Sequence, residues 1–275
     1  VVVAGKSAPP QETLPGTIPT VAGELGAVGA STGARALAVV CDLRDAHACE
    51  ACVSASVKRF GRVDILVNNA SALWWHAIED TPVKKYDLIN AINARGAFVM
   101  AKHCVPLMKK NGWGRVISMG PPLPKHFKQL KNKTAYYVSK CGMSMVALGV
   151  AAEGDGVVLG NALWPATVVE SLASENFALG ERRTWRKASI LADCVLQLCS
   201  DDVTNGRTLI DDVYLLERGA SDEDLKKYRC DPNVEPPRLL AESEELSDDA
   251  NTNGDWDVRR GSVKALREDR ARSKL

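Results

Sequence analysis

A tyrosine followed four residues later by a lysine, Tyr136 and Lys140, stands in the run Thr134-Ala135-Tyr136-Tyr137-Val138-Ser139-Lys140, which opens an apolar segment through Met143, Met145, Val146 and Leu148. On a helix the two side chains lie one turn apart on the same face. A cation near the phenol favours tyrosinate. A tyrosine drawn below its ordinary pKa of about 10 can exchange a proton with an alcohol or a carbonyl near neutral pH. The same spacing also serves as a surface or core-edge pair, so the surrounding chain has to decide between the two.

Length and composition set what can position such a pair. The 275 residues fit one large α/β domain with a tail or two small domains, and 45% hydrophobic residues suffice for a core. The net charge of +1 provides no field for steering nucleic acid, and no apolar run reaches the length of a membrane span. A soluble protein with a small-molecule partner is the expectation. Eight cysteines without a paired framework read as reduced thiols. Cys49-x-x-Cys52 with His47 nearby is either a metal half-site or one face of a helix; no second pair matches it, so no metal is expected. Asn69-Ala-Ser71 and Asn132-Lys-Thr134 match glycosylation sequons but follow no secretory signal.

Strand and helix patterns alternate. Val1 to Ala4 is a buried strand followed by Gly5-Lys6-Ser7, which imitates the end of a phosphate loop but runs into prolines instead of a helix. Lys6 at a strand end is better placed as a cation for the 2′-phosphate of NADP. A helix is expected over about 17–28, a connecting turn over Gly29 to Arg35, and a strand over Ala36 to Cys41 ending at Asp42. Next come a helix from Ala46 to Phe60 stopped by Gly61, a strand from Asp64 to Val67, and a long helix from about Val83 to Lys110. Arg115 to Met119 is a strand, and Pro121-Pro122-Leu123-Pro124 leads into the Tyr136 helix. Val157 to Leu163, Ser189 to Ser200 and Arg207 to Ile210 complete the pattern as strand, helix and strand. Such alternation specifies a doubly wound, Rossmann-like parallel sheet whose ligands sit at the carboxyl ends of its strands, where Lys6, Asp42, Asn69, Ser118 and Pro165 fall. From about residue 219 the chain is acidic and poor in apolar residues, and a mostly disordered tail is expected.

In this order the motifs resemble those of the short-chain dehydrogenase/reductase family over roughly residues 1 to 218. Asp42-Leu43 looks like the acidic pair that contacts adenine, and Asn68-Asn69-Ala70-Ser71 like the family's Asn-Asn-Ala-Gly turn. Asn93 matches a helix asparagine that holds a proton-relay water, Tyr136 and Lys140 match the catalytic pair, and Pro165-Ala166-Thr167 resembles the Pro-Gly turn beside the nicotinamide. The resemblance implies an oxidoreductase using NADP, with NAD as the alternative. Its cofactor contacts would be Lys6, Asp42, Leu43, Asn69, Ala70, Lys140, Pro165 and Thr167. Tyr136 would pass a proton to the substrate oxygen, Lys140 would lower its pKa, and Asn93 would order the relay. A lipid-like substrate and a homo-oligomer built on the long helix and the Tyr136 helix are further implications. Within the family, Leu66 to Ser71, Pro121-Pro122-Leu123 and Asn161 to Pro165 resemble a peroxisomal member with an additional sterol-carrier domain, for which this sequence has no counterpart.

Three places depart from the family pattern. The opening strand and its Gly-x-x-x-Gly-x-Gly loop have no counterpart, Val1 to Ala4 corresponding to the second strand, so the sequence reads as a fragment or a truncated gene model. The hydroxyl that polarises the substrate oxygen is missing: Gly120 and Pro121 stand there, and Thr134 is the only hydroxyl between Met119 and Tyr136. The Pro-Gly turn is Pro165-Ala166. A catalytically inactive scaffold or lipid/nucleotide-binding protein is therefore the alternative. The final Ser273-Lys274-Leu275 matches the tripeptide read by the peroxisomal import receptor, so a peroxisomal location is expected.

Overall fold

The computed structural model describes residues 1–8, 16–124 and 127–239. In chain order come β1 (Val2–Gly5), α1 (Ile18–Val28), β2 (Leu37–Val40), α2 (Ala46–Phe60), β3 (Ile65–Asn68), α3 (Val83–Asn90), α4 (Gly96–Asn111), β4 (Gly114–Met119) and α5 (Thr134–Glu153). They are followed by β5 (Val158–Trp164), α6 (Leu172–Asn176), α7 (Ser189–Ser200), β6 (Thr208–Ile210), α8 (Asp211–Glu217) and α9 (Asp222–Leu225). Local chemistry sets the helix ends. The Thr17 and Asp45 side chains cap α1 and α2 by accepting from first-turn amides, and Gly61 and Gly112 end α2 and α4 at φ 83° and 73°, where a side chain would be strained.

Every strand pair is parallel, in two sheets: β3-β4-β5-β6 and β1-β2. All residues of β4 and β5 are buried, as befits parallel strands covered on both faces. Val116 meets Val53, Cys104, Met108 and Val150 of α2, α4 and α5, while its neighbour Ile117 points the other way into Ile190, Leu198 and Tyr214 of α7 and α8. A Cβ on Gly160 would lie 2.1 Å from the Ala147 carbonyl oxygen, so α5 sits directly on the β5 backbone.

The expected parallel sheet is thus present in two pieces spanned by the same helices. Val53 and Met108 cover the larger piece, and Cys49, Cys52 and Val99 cover the smaller. Among the described residues, β1 and β3 each have a strand neighbour on one side only. The long helix expected after residue 83 is α3 and α4 joined by a π-helical turn, Ala91–Arg95, which carries Asn93.

Residues 219–239 differ from the expected disordered tail. Leu225 and Tyr228 are buried with Leu198 and Tyr214, and the Tyr228 hydroxyl donates to Asp193 Oδ2 at 2.6 Å. Two well-spaced apolar side chains anchor a segment whose acidic composition conceals them. The later acidic cluster, the basic run through Arg267, Arg270 and Arg272, the tripeptide Ser273-Lys274-Leu275 and the prolines at 9 and 10 lie outside the described residues. No helix among the described residues is long and apolar enough to cross a membrane.

Candidate active site

Parallel pairing brings the carboxyl ends of β3, β4, β5 and β6 to one rim, and α5 brings Tyr136 there. Tyr136 and Tyr137 pack with Trp164 at the end of β5, Leu73 and Trp75 from the segment after β3, and Ile210 at the end of β6. Tyr136 is 8% and Lys140 2% exposed. Lys140 Nζ lies 5.4 Å from the centre of the Trp164 ring and 3.5 Å from Met143 Sδ. Burial without a charged partner pushes its pKa down to about 7.

This differs from the expected proton chemistry. Burial, reinforced by Tyr137, pushes the Tyr136 hydroxyl above its ordinary range, and Lys140 does not lower it. Helical spacing alone does not bring an ammonium onto a phenol oxygen, because desolvation acts on both groups in the protein alone.

Asn93 is fully buried and its side chain makes three hydrogen bonds. Oδ1 accepts from the Ala72 amide at 2.8 Å, and Nδ2 donates to the Ala72 carbonyl and to Ser139 Oγ, both at 2.9 Å. Ser139 in turn donates to the Tyr136 carbonyl at 2.7 Å. The asparagine side chain therefore ties the segment after β3 to the turn of α5 that carries the tyrosine. A mid-helix serine three residues after Tyr136 is the sequence signal for this link.

At the position lacking the family's hydroxyl, a Cβ on Gly120 would fall 2.3 Å from Ser144 Oγ and 2.9 Å from the Lys140 carbonyl oxygen. No side chain fits there, since α5 occupies the space. Ser118, fully buried, accepts from Asn68 Nδ2 at 3.3 Å and serves the strand end; Thr134 Oγ1 donates to the Leu130 carbonyl.

The proposed cofactor residues fall into two groups. Lys6 is exposed at the end of β1 and close enough to Asp42 to help hold its carboxyl low. Asp42 is engaged by Arg44, whose Nε donates to Oδ1 at 2.9 Å, and this ion pair takes its pKa down to about 2. Leu43 packs where α4 begins, against Gly96, and Asn69 and Ala70 are exposed past β3. Beyond β5, Pro165 is half-buried and Thr167 fully buried, its Oγ1 donating to the Val168 carbonyl. Asp211 fixes this turn: its Oδ1 accepts from the Ala166 amide at 2.9 Å, and burial raises its pKa to about 6. Arg44 and Asp211 escaped the sequence reading; an acid pair directly after a strand was the available signal for Asp211. Cys49 and Cys52 face the core beside Cys41, and burial raises the Cys49 thiol to about 12.

The family model for short chain dehydrogenase matches residues 17–176. Hydroxysteroid dehydrogenase-like protein 2 from Danio rerio is 38% identical over 84% of this chain and 55% of its own length, and that from Homo sapiens 36% over 88% and 57%. The chain thus spans somewhat over half the length of these relatives. A short chain dehydrogenase from Mycobacterium thermoresistibile superposes with a TM-score of 0.77 at 36% identity, covering 86% of this chain and 84% of that one. A 7α-hydroxysteroid dehydrogenase solved with NADH and 7-oxo glycochenodeoxycholic acid, 22% identical with a TM-score of 0.59 over 76% of this chain and 81% of its own, shares the fold. With its parallel strands, its rim of strand ends and the Tyr136 helix laid across them, the chain belongs to the short chain dehydrogenase family.

Proposed function

We propose that the protein is an NADP(H)-dependent oxidoreductase that interconverts a lipid-like carbonyl and its secondary alcohol. The observation that carries this reading is the placement of Tyr136 and Lys140 on α5 at the strand-end rim, buried among Leu73, Trp75 and Trp164.

The donor set suits the two ends of a dinucleotide. Lys6 and Arg44 are cations beside Asp42 at the end of the smaller sheet, suited to a 2′-phosphate, and Lys140 is an ammonium without a carboxylate, suited to ribose hydroxyls. For the pyrophosphate, the described residues offer no glycine loop. Bound NADPH would supply the hydride to the carbonyl carbon. Tyr136 Oη gives its proton to the carbonyl oxygen as it gains charge and is reprotonated from solvent. Lys140, one turn along α5, would supply the positive charge that stabilises the tyrosinate left behind. Asn93 and Ser139 hold the α5 turn against the segment after β3, keeping Tyr136 in reach of the substrate. Leu73, Trp75 and Trp164 line the site with apolar surface that favours a lipid-like chain and excludes water.

A catalytically inactive member of the family, binding lipid or nucleotide, is the second reading, favoured by the occupied space at Gly120. Loss of one oxyanion donor typically costs about 10²–10³ in rate. NADPH fluorescence titration of the chain and of Lys140→Ala separates the proposals. Saturable binding that weakens in the variant, with turnover lost in Tyr136→Phe by about 10²–10⁴, supports the oxidoreductase. NADPH binding without turnover on any carbonyl supports the inactive member.

Exposed Phe98, Val138 and Met145 on the outer faces of α4 and α5, at 58%, 47% and 60%, support a homo-oligomer through those helices. Sedimentation as a monomer only would refute it. Import by the peroxisomal receptor through Ser273-Lys274-Leu275 predicts that deleting Leu275 leaves a fluorescent fusion outside peroxisomes.

A further inference from the structure

The polar atoms around Tyr136 share one property: several donate and have nothing to donate to. Trp75 Nε1 and Trp164 Nε1 are buried without a hydrogen-bond partner. Buried indole N–H groups are ordinarily bonded, so each exception asks for an explanation. Two ammonium groups lie against the same rings: Lys140 Nζ 5.4 Å from the centre of Trp164, and Lys133 Nζ 4.9 Å from the centre of Trp75. Burial alone lowers the pKa of each lysine, with no charged neighbour contributing. Beside Tyr136, then, two buried N–H donors and two ammonium groups stand together, while the unpartnered acceptors Gln129 Oε1 and Asp211 Oδ2 lie next to Leu130 and Ile210 of the same cluster.

The two pairs flank the reacting tyrosine. Lys133 precedes Tyr136 by three residues and Lys140 follows it by four, so they stand about one helical turn to either side along α5. Lys140, which rests on the Trp164 ring, is assigned above to the cofactor's ribose. Lys133 and Trp75 remain for the substrate, and the Trp75 ring stands edge-on to Tyr136 with centres 6.0 Å apart. The surrounding sequence carries the same sign: between Asp87 and Glu153 there is no acidic residue, while Lys128, Lys131 and Lys133 crowd the approach to α5. With a whole-chain charge of only +1, this is a local concentration.

We infer that the substrate is an anion, an oxo compound bearing a carboxylate or phosphate, and that Lys133 Nζ and Trp75 Nε1 hold its charged group beside Tyr136. This rests on the oxidoreductase reading and sharpens it. A carboxylate or phosphate offers acceptors to both donors at once, whereas a neutral lipid leaves a half-buried cation resting on an aromatic face. Leu73 and Leu130, packed against Tyr136 and Tyr137, provide apolar surface for the rest of such an amphiphile.

The test uses the full chain and three probes: 9-oxodecanoate, its methyl ester and 9-oxodecyl phosphate. Binding is followed by tryptophan fluorescence and turnover by NADPH consumption. At least one anion should bind about tenfold or more tightly than the ester, and which one does identifies the charged group. Lys133→Met should erase the preference, bringing the favoured anion to the level of the ester, while Lys133→Arg retains it. Equal binding of all three probes, or a preference that survives in Lys133→Met, would overturn the inference. Because fluorescence does not need turnover, selective anion binding without NADPH consumption would defeat the oxidoreductase reading and leave the anion site standing. Turnover of the ester without anion preference would do the reverse.

Discussion

The sheet around β4 and β5 and the smaller sheet of β1 and β2 are built from similar residues but held very differently. In β4 and β5 every residue is buried, while β1, α1 and β2 contain no buried residue at all. The first region carries Tyr136, Lys140 and Asn93 and packs on both faces; the second carries Lys6 and leads to Asp42 and rests on α1, α2 and α4. The chemical end of the site is therefore set rigidly, and the end that would select the cofactor is set lightly. On β3 the cost of the division is visible: Ile65 and Val67 are 43% and 39% exposed along an edge that has no strand neighbour among the described residues.

The largest effect expected from this contrast is at Gly160. A valine there meets the Ala147 carbonyl oxygen and the Ala151 amide, atoms of a backbone that cannot swing aside. Gly160→Val should lower stability by about 3 kcal/mol or more, whereas Ala4→Val, on an exposed strand position, should fall within about 0.5 kcal/mol. Denaturant titration of both checks it, and equal costs would erase the distinction between the two sheets.

Next is the charge at Lys140. Its folded pKa is pushed down to about 7, so between there and its unfolded value near 10.5 the unfolded chain holds one more proton. Stability should then rise with pH across that window by up to about 1.4 kcal/mol per unit, and Lys140→Met should lack that rise and be the more stable protein at pH 7. A difference between wild type and variant that does not change from pH 7 to 10 would mean that the ammonium is solvated.

Asn93→Ala comes third. It leaves the half-buried Ala72 amide and carbonyl without their side-chain partners, at a cost of about 1–3 kcal/mol, and loosens the segment bearing Trp75 against α5. A readout beyond stability is turnover: kcat should fall more than NADPH affinity, because the residue positions Tyr136 and touches neither reactant. Hydrogen exchange localised to the segment after β3 would show the loosening.

Much of this was legible in residue order. Asp45 and Gly61 mark the ends of α2, and the alternation of strand with helix specifies parallel pairing. The spacing of Tyr136 and Lys140 selects the helix that carries the chemistry. What could not be read follows from long-range packing. A strand pattern does not name its neighbours, so the division into two sheets is invisible in it. The spacing of a tyrosine and a lysine says nothing about desolvation, so the rise in the Tyr136 pKa ran against the expected fall. The partners of Asn93 are distant in sequence and so could not be read from it, and the packed segment through Leu225 and Tyr228 was hidden by its acidic neighbours.

The smallest effect separates the two regions most cleanly. Gly23 in α1 and Gly149 in α5 both lie inside helices, and a Cβ on either meets nothing within 4 Å. Replacing a helix-interior glycine by alanine removes backbone freedom from the unfolded chain and should stabilise by about 0.5–1 kcal/mol at either site. If the two sheets unfold as one cooperative unit, Gly23→Ala and Gly149→Ala must raise the same transition by similar amounts. If the β1-β2 piece opens first, Gly149→Ala raises the main transition alone, and Gly23→Ala moves only an earlier one, seen as slower hydrogen exchange in α1 without a change in the global midpoint. The lack of buried residues in β1, α1 and β2 favours the second outcome. A shared shift would show instead that α2 and α4, which cover both sheets, transmit enough packing to make the molecule a single folding unit.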